Sequence, residues 1–258
     1  VLGPMFTTPG AHPATTMCAK NPWCRAHLAV EVDDEGDARE MVDAIAQAGA
    51  DGIKIVFDAS RDNSRFGTAL GRAVTDRASA HNLPVRAHAH TNGDINDALG
   101  LGVSGFVHTP HEPISDELLE RMMATDSSFA TTLSNSQLVA GQPSEFPREP
   151  QKQNLTTLVE AGFLVAFGTN NAGGESVGSA LLTETQALQD AGMTSSQILT
   201  ALTAGAAEYL GRLNELGTIE VGKRADFLIV EGDPTTDLAA LTNVVAVVKD
   251  GALIVDYR

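Results

Sequence analysis

An α/β fold of repeated βα units is predicted by two features of the chain. Short β-branched, apolar runs alternate with longer amphipathic stretches, and glycine closes several of the stretches at the position where a helix ends.

The strand runs are Val1 to Phe6, Gly52 to Phe57, Val85 to Ala89, Gly105 to His108, Ser128 to Leu133 and Leu164 to Gly168. Helical periodicity falls on Gly36 to Ala48, Gly67 to Ala80, Ile95 to Leu101, Asp116 to Ala124 and Gln151 to Ala161, then on Ser179 to Asp190 and Ser195 to Tyr209. Six strands, each followed by a helix, read as six units of an eight-unit TIM-like barrel, two short of closure. From Gly217 the texture changes to short strands at Gly217 to Val221, Asp226 to Val230, Val244 to Lys249 and Ala252 to Val255. Such a meander needs partner strands. The expected division is a barrel over residues 1–212 and half of a small β domain over 213–258, with Gln142 to Pro150 a loop.

The composition excludes several classes. At 258 residues and 43% hydrophobic content there is enough apolar surface for one large core. The 33 acidic and 17 basic residues give a net charge of -16, which repels phosphate backbones and anionic membranes, so neither nucleic acid nor membrane is expected as a partner. No run of about 18 apolar residues and no secretory leader is seen, and a cytoplasmic setting is expected. Cys18 and Cys24, six apart around Trp23, are expected to be two thiols in a loop, with a disulfide possible only in an oxidising compartment.

The chemistry-bearing residues stand at predicted strand ends, where a parallel barrel presents its catalytic groups. Lys54 lies in an apolar run, Gly52-Ile-Lys-Ile-Val-Phe57, where a lysine either snorkels from the strand end or must be paired, metal-bound or modified. His88 and His90 project to one side of their strand, and His108 closes the next. Imidazoles converging from successive strand ends suit a metal. The Phe167-Gly-Thr-Asn170 segment opens a glycine-rich loop. His12, His27, His81 and His111 are expected in surface or loop positions, with His12 and His111 retained as pocket-loop candidates. Arg61, Arg65 and Arg148 are either ordinary surface arginines or candidates to meet a substrate carboxylate.

This ordered set resembles the amidohydrolase superfamily, in particular its imidazolonepropionase and Xaa-Pro dipeptidase-like branch. The set comprises Lys54 in Gly-Ile-Lys-Ile, His88 in Val-Arg-Ala-His-Ala-His-Thr, His108 in Val-His-Thr and Asn170 in Phe-Gly-Thr-Asn. The tail is similar too, from Leu202-Thr-Ala-Gly-Ala-Ala-Glu-Tyr-Leu-Gly-Arg212 to Gly217-Thr-Ile-Glu-Val-Gly-Lys-Arg-Ala-Asp-Phe-Leu-Ile-Val230, and resembles the end of the family barrel and its small β-sandwich.

The resemblance implies a hydrolase of C–N amide-type bonds in small molecules, with two divalent cations, zinc by expectation. Lys54 would be carboxylated by carbon dioxide and bridge the cations, His88 and His108 would be ligands, and His90 and His111 would lie behind them or orient substrate. Deamination or ester hydrolysis on the same scaffold is the alternative reaction, and a non-catalytic binding protein the alternative class. Two departures stand out. The family's His-x-His pair on strand one has no counterpart before Lys54, so an N-terminal fragment or second chain is expected to complete the barrel, with homo-oligomerisation a further option. Asn170 occupies the position of the family's aspartate base, and an amide takes no proton at neutral pH. An engineered exchange, a natural variant of altered activity and a non-catalytic relative all fit an amide there.

Overall fold

Most of the described helices begin at capping residues that the sequence displays. The computed structural model describes residues 2–58, 66–134, 148–170 and 176–257. It divides into two units, Val1–Ser127 and Ser128–Arg258.

The first unit carries five parallel strands, β1 (Leu2–Thr7), β2 (Ala29–Glu31), β3 (Gly52–Val56), β4 (Val85–His88) and β5 (Gly105–Val107), in the order β2-β1-β3-β4-β5. Phe6, Ile53, Ile55, Phe57 and Phe106 are fully buried around them. Helix Glu35–Gln47 starts at Asp34, whose carboxylate accepts the Gly36 and Asp37 N–H groups. Helix Asn92–Gly100 starts at a reciprocal Thr91 and Asp94 capping box, and helix Asp116–Ala124 at Ser115. Register sets the chemistry of one sheet face, because Lys54 pairs with Arg86 and Val56 with His88, so Lys54, Arg86 and His88 share a side.

Three expectations are corrected in this unit. Ala29–Glu31 is a strand, parallel to β1 through Met5 and Ala29, which the six-strand count omitted; three residues ending in a glutamate carry too little periodicity to be seen. The cysteines are not free thiols, because Cys18 and Cys24 form a disulfide. What brings them together is helix Pro22–His27, read from sequence as loop, which begins at Asn21 and places the two Cα atoms 5.1 Å apart. The bridge packs with Ala14 and Ala29 in a small buried cluster.

The second unit holds the parallel pair β6 (Ser128–Ala130) and β7 (Leu164–Ala166) with helices Arg148–Glu160 and Val177–Asp190. The helix expected over Ser195 to Tyr209 is interrupted: Ser195–Thr200 and Ala206–Tyr209 are α-helical, and Ala201–Gly205 forms a π turn. That turn meets the strand, since the Phe167 N–H donates to the Ala201 carbonyl at 3.0 Å and a Cβ on Gly205 would stand 2.4 Å from the Val165 carbonyl oxygen. The tail forms three antiparallel strands, β8 (Phe227–Val230), β9 (Val244–Lys249) and β10 (Ala252–Asp256), in the order β10-β9-β8. Gly217 to Val221 is not a strand, as expected from sequence, but turn and irregular chain beside Gly217 and Gly222, both at positive φ. Among the described residues no helix is long and apolar enough to cross a membrane.

Candidate functional site

The site grows from the carboxyl ends of β3, β4 and β5. Parallel pairing brings those ends level, and the side chains that follow them fall together. His88 ends β4, His90 follows it by two residues, and His108 follows β5; their exposures are 7%, 5% and 6%. His108 is outside the strand proper because its φ is 81°, in the left-handed region that a histidine adopts at a cost.

The three rings face one another. His108 Nε2 lies 2.9 Å from His88 Nδ1, and the ring centroids are 4.3 Å apart for His88 and His90 and 5.0 Å for His90 and His108. One ligand atom from each lies within 4.8 Å of the others. His111 stacks on His90 at 3.8 Å between centroids, and its backbone N–H donates to the His90 carbonyl.

A second group meets the first at His88. It consists of His12, from the segment after β1, and Asp58, two residues beyond β3, with one ligand atom of each again within 4.8 Å of the others and of His88. Thr7 Oγ1 donates to the His12 carbonyl at 2.6 Å, and the His12 Nδ1 is hydrogen-bonded to Thr16 Oγ1 at 2.6 Å. The loop histidines His12 and His111 therefore belong to the cluster rather than to the surface. His27, by contrast, stacks on Trp23 in an exposed position, and His81 pairs with Asp43.

Burial pushes the Lys54 ammonium down from its ordinary value. Burial also drives the His108 imidazolium far below its usual range, helped by the positive charges of His88, Lys54, His111 and His12. The physical consequence is a neutral His108, the form that ligates metal. Imidazole nitrogens with one buried carboxylate form a donor set suited to zinc or a similar divalent transition ion. The residues present fit such an ion, with His88, His90 and His108 as one candidate group.

Asn170, in the second unit, is exposed and left-handed at φ 45°, four residues after β7 ends. Arg61 and Arg65 lie outside the described residues, as does most of the expected Gln142 to Pro150 loop, and Arg148 begins helix Arg148–Glu160. The sequence reading missed Asp58. Its signal was present: Lys54, Val56 and Asp58 alternate along one strand and share its side.

The sequence matches the amidohydrolase family over residues 1–254. The chain belongs to that family. This amidohydrolase is 29% identical to the imidazolonepropionase of Mesorhizobium japonicum over 212 residues, which is 80% of this chain and 50% of that protein. It is 32% identical to the imidazolonepropionase of Brucella anthropi over 169 residues, 64% of this chain and 39% of that one. The chain spans about half the length of the curated relatives it matches. Among solved structures, a Xaa-Pro dipeptidase with bound methionine in the active site superposes with a TM-score of 0.81 at 26% identity, covering 98% of this chain and 66% of that one. The ochratoxinase of A. niger shares the fold at 22% identity, with a TM-score of 0.82 and coverage of 98% and 65%. The α/β class expected from the sequence is the class of these amidohydrolase barrels.

Proposed function

We propose that this amidohydrolase contributes a divalent-cation site for hydrolysis of a C–N amide-type bond in a small molecule. The observation that carries the reading is the buried group of three facing imidazoles, His88, His90 and His108, on adjacent strand ends. Three such groups turned toward one another, one of them held at an unfavourable φ, are costly in a fold unless an electrophile rewards the arrangement.

In this reading His88 and His108 hold a cation, zinc by preference. Lys54, made a poor cation by burial, would be carboxylated by carbon dioxide and supply oxygen ligands for divalent cations. The ion, when bound, supplies Lewis acidity and lowers the pKa of a nearby water. His90, fixed by its stack against His111, orients the substrate. Asn170 stands in the place of the proton-accepting carboxylate; its amide holds a water or substrate by hydrogen bonds but takes no proton. The relatives named imidazolonepropionase and Xaa-Pro dipeptidase make a cyclic amide and an X-proline dipeptide the first substrates to test.

The test is an assay of both substrates after reconstitution with zinc and bicarbonate, comparing the chain with its Asn170→Asp variant. General-base catalysis is worth roughly 10²–10⁴-fold, so the variant is expected to turn over one of them faster by that order. No gain with either substrate counts against the role given to position 170, and no bound zinc counts against the whole reading.

A further inference from the structure

One buried carboxylate of the second unit has no part in the proposed cation site. Glu184, on helix Val177–Asp190, is fully buried. It accepts the Leu133 N–H at 3.0 Å and the Ser134 N–H at 2.7 Å, just past the end of β6. The Thr131 side chain donates to the same carboxylate. A helix can pack on a sheet with apolar side chains alone, and a buried carboxylate is costly unless its donors are held in place. Here the donors all belong to one short stretch of chain, Thr131 to Ser134.

Thr131 connects that anchor to the neighbouring strand. Its N–H donates to the Ala166 carbonyl at 2.8 Å, and its Oγ1 accepts the Gly168 N–H at 3.3 Å. The close approach depends on glycine at 168, since a Cβ there would stand 2.7 Å from the Thr131 carbonyl oxygen. The preceding residue is held from another side, by the Phe167 N–H on the Ala201 carbonyl. Asn170 follows two residues after Gly168, exposed and left-handed at φ 45°. Two hydrogen-bonded steps therefore lead from the Glu184 carboxylate to the residues that carry Asn170.

We propose that Glu184 is a positioning residue for the segment Gly168 to Asn170, acting through Thr131. The proposal rests on the reading that position 170 meets the substrate. In this role Glu184 touches no reacting atom; it fixes where the chain sets out toward position 170. A group displaced by about 1 Å can cost roughly 10²-fold in rate, so a hold placed this far back is enough to govern turnover.

The hold is measured first without substrate, by amide hydrogen exchange on the full chain. Thr131→Val keeps the side-chain shape and removes the hydroxyl, whereas Glu184→Gln leaves one acceptor oxygen in place of two. Each is expected to speed exchange at the Gly168 N–H about three- to tenfold, the range that one lost hydrogen bond gives. The Leu158 N–H, on helix Arg148–Glu160 of the same unit, is expected to keep its rate. Thr131→Ser restores the hydroxyl and should restore protection of Gly168. The second measurement takes the Asn170→Asp protein with zinc and bicarbonate. Adding Thr131→Val to it is expected to lower kcat about tenfold with little change in KM, as for a group displaced in the transition state alone. Gly168 exchange that stays unchanged in Thr131→Val and Glu184→Gln overturns the proposal, and so does a rise that Leu158 shares equally. An unchanged kcat, or a loss confined to KM, overturns it as well. Should Glu184→Gln fail to fold, Thr131→Val and its serine rescue decide the matter. If the Asn170→Asp protein turns over neither substrate, the functional reading fails by itself, and Gly168 exchange still decides whether Glu184 and Thr131 hold the segment.

Discussion

Each unit buries polar groups, and the two do so in opposite ways. In the second unit, the Glu184 carboxylate is fully buried and accepts the backbone N–H groups of Leu133 at 3.0 Å and Ser134 at 2.7 Å. These donors come from the protein itself, and the carboxylate holds the chain where it leaves β6. In the first unit the buried groups include four imidazoles, His12, His88, His90 and His108, gathered with ligand atoms close to one another. The contrast separates two kinds of buried polarity. A carboxylate that accepts backbone N–H groups fixes the chain where it sits, whereas facing ring nitrogens are the arrangement on which the proposed cation site rests.

The largest expected effect tests the first half of that contrast. Zinc present at about 100 times its dissociation constant adds about 2.7 kcal/mol to stability through binding the folded state alone. For a chain of this size each kcal/mol raises the melting temperature by about 2–4 °C, so a shift of about 5–10 °C is expected on loading. His88→Ala, which removes the residue common to both candidate groups, should abolish that shift. A variant that melts higher with zinc by the same margin would show that the ion binds elsewhere.

Glu184→Ala tests the other half and should lower stability by about 2–3 kcal/mol, since two buried N–H groups lose their acceptor. The loss should be the same with and without zinc, and a zinc-dependent loss would erase the distinction drawn above. Burial raises the Glu184 carboxyl above its ordinary 4.5, despite its hydrogen bonds. A raised folded value means that the neutral form gains more from folding than the charged form does. Stability relative to Glu184→Gln is therefore full below about 4.5 and declines as pH rises through the folded value. Parallel denaturation midpoints of the two proteins across that window would refute the burial effect.

The smallest expected change concerns the disulfide. A bridge closing a loop of this length limits the unfolded chain by about 2 kcal/mol. Cys18→Ser, or reductant, should lower the melting temperature accordingly.

How much of this could be read in advance differs between residues. His88, His90 and His108 were expected at strand ends, and the structure groups them there because the ends of adjacent parallel strands converge, whereas Lys54 lies in the middle of β3 rather than at its end. Helices Gly36 to Ala48 and Asp116 to Ala124 were legible because periodicity and caps are local properties. Ala29–Glu31 was not, since a strand of three residues exists only through its partner β1.

The amino-acid sequence by itself determined the alternation of strands and helices, the family motifs and the side of β4 on which the imidazoles stand, because these depend on residues a few positions apart. Only the tertiary structure decided that His12 and Asp58 join His88, that His111 covers His90 and that Cys18 bonds Cys24. Those meetings depend on where β1, β3 and β4 lie side by side and on how the chain turns after each. Backbone pairing between segments remote in sequence sets both, and no local pattern encodes it.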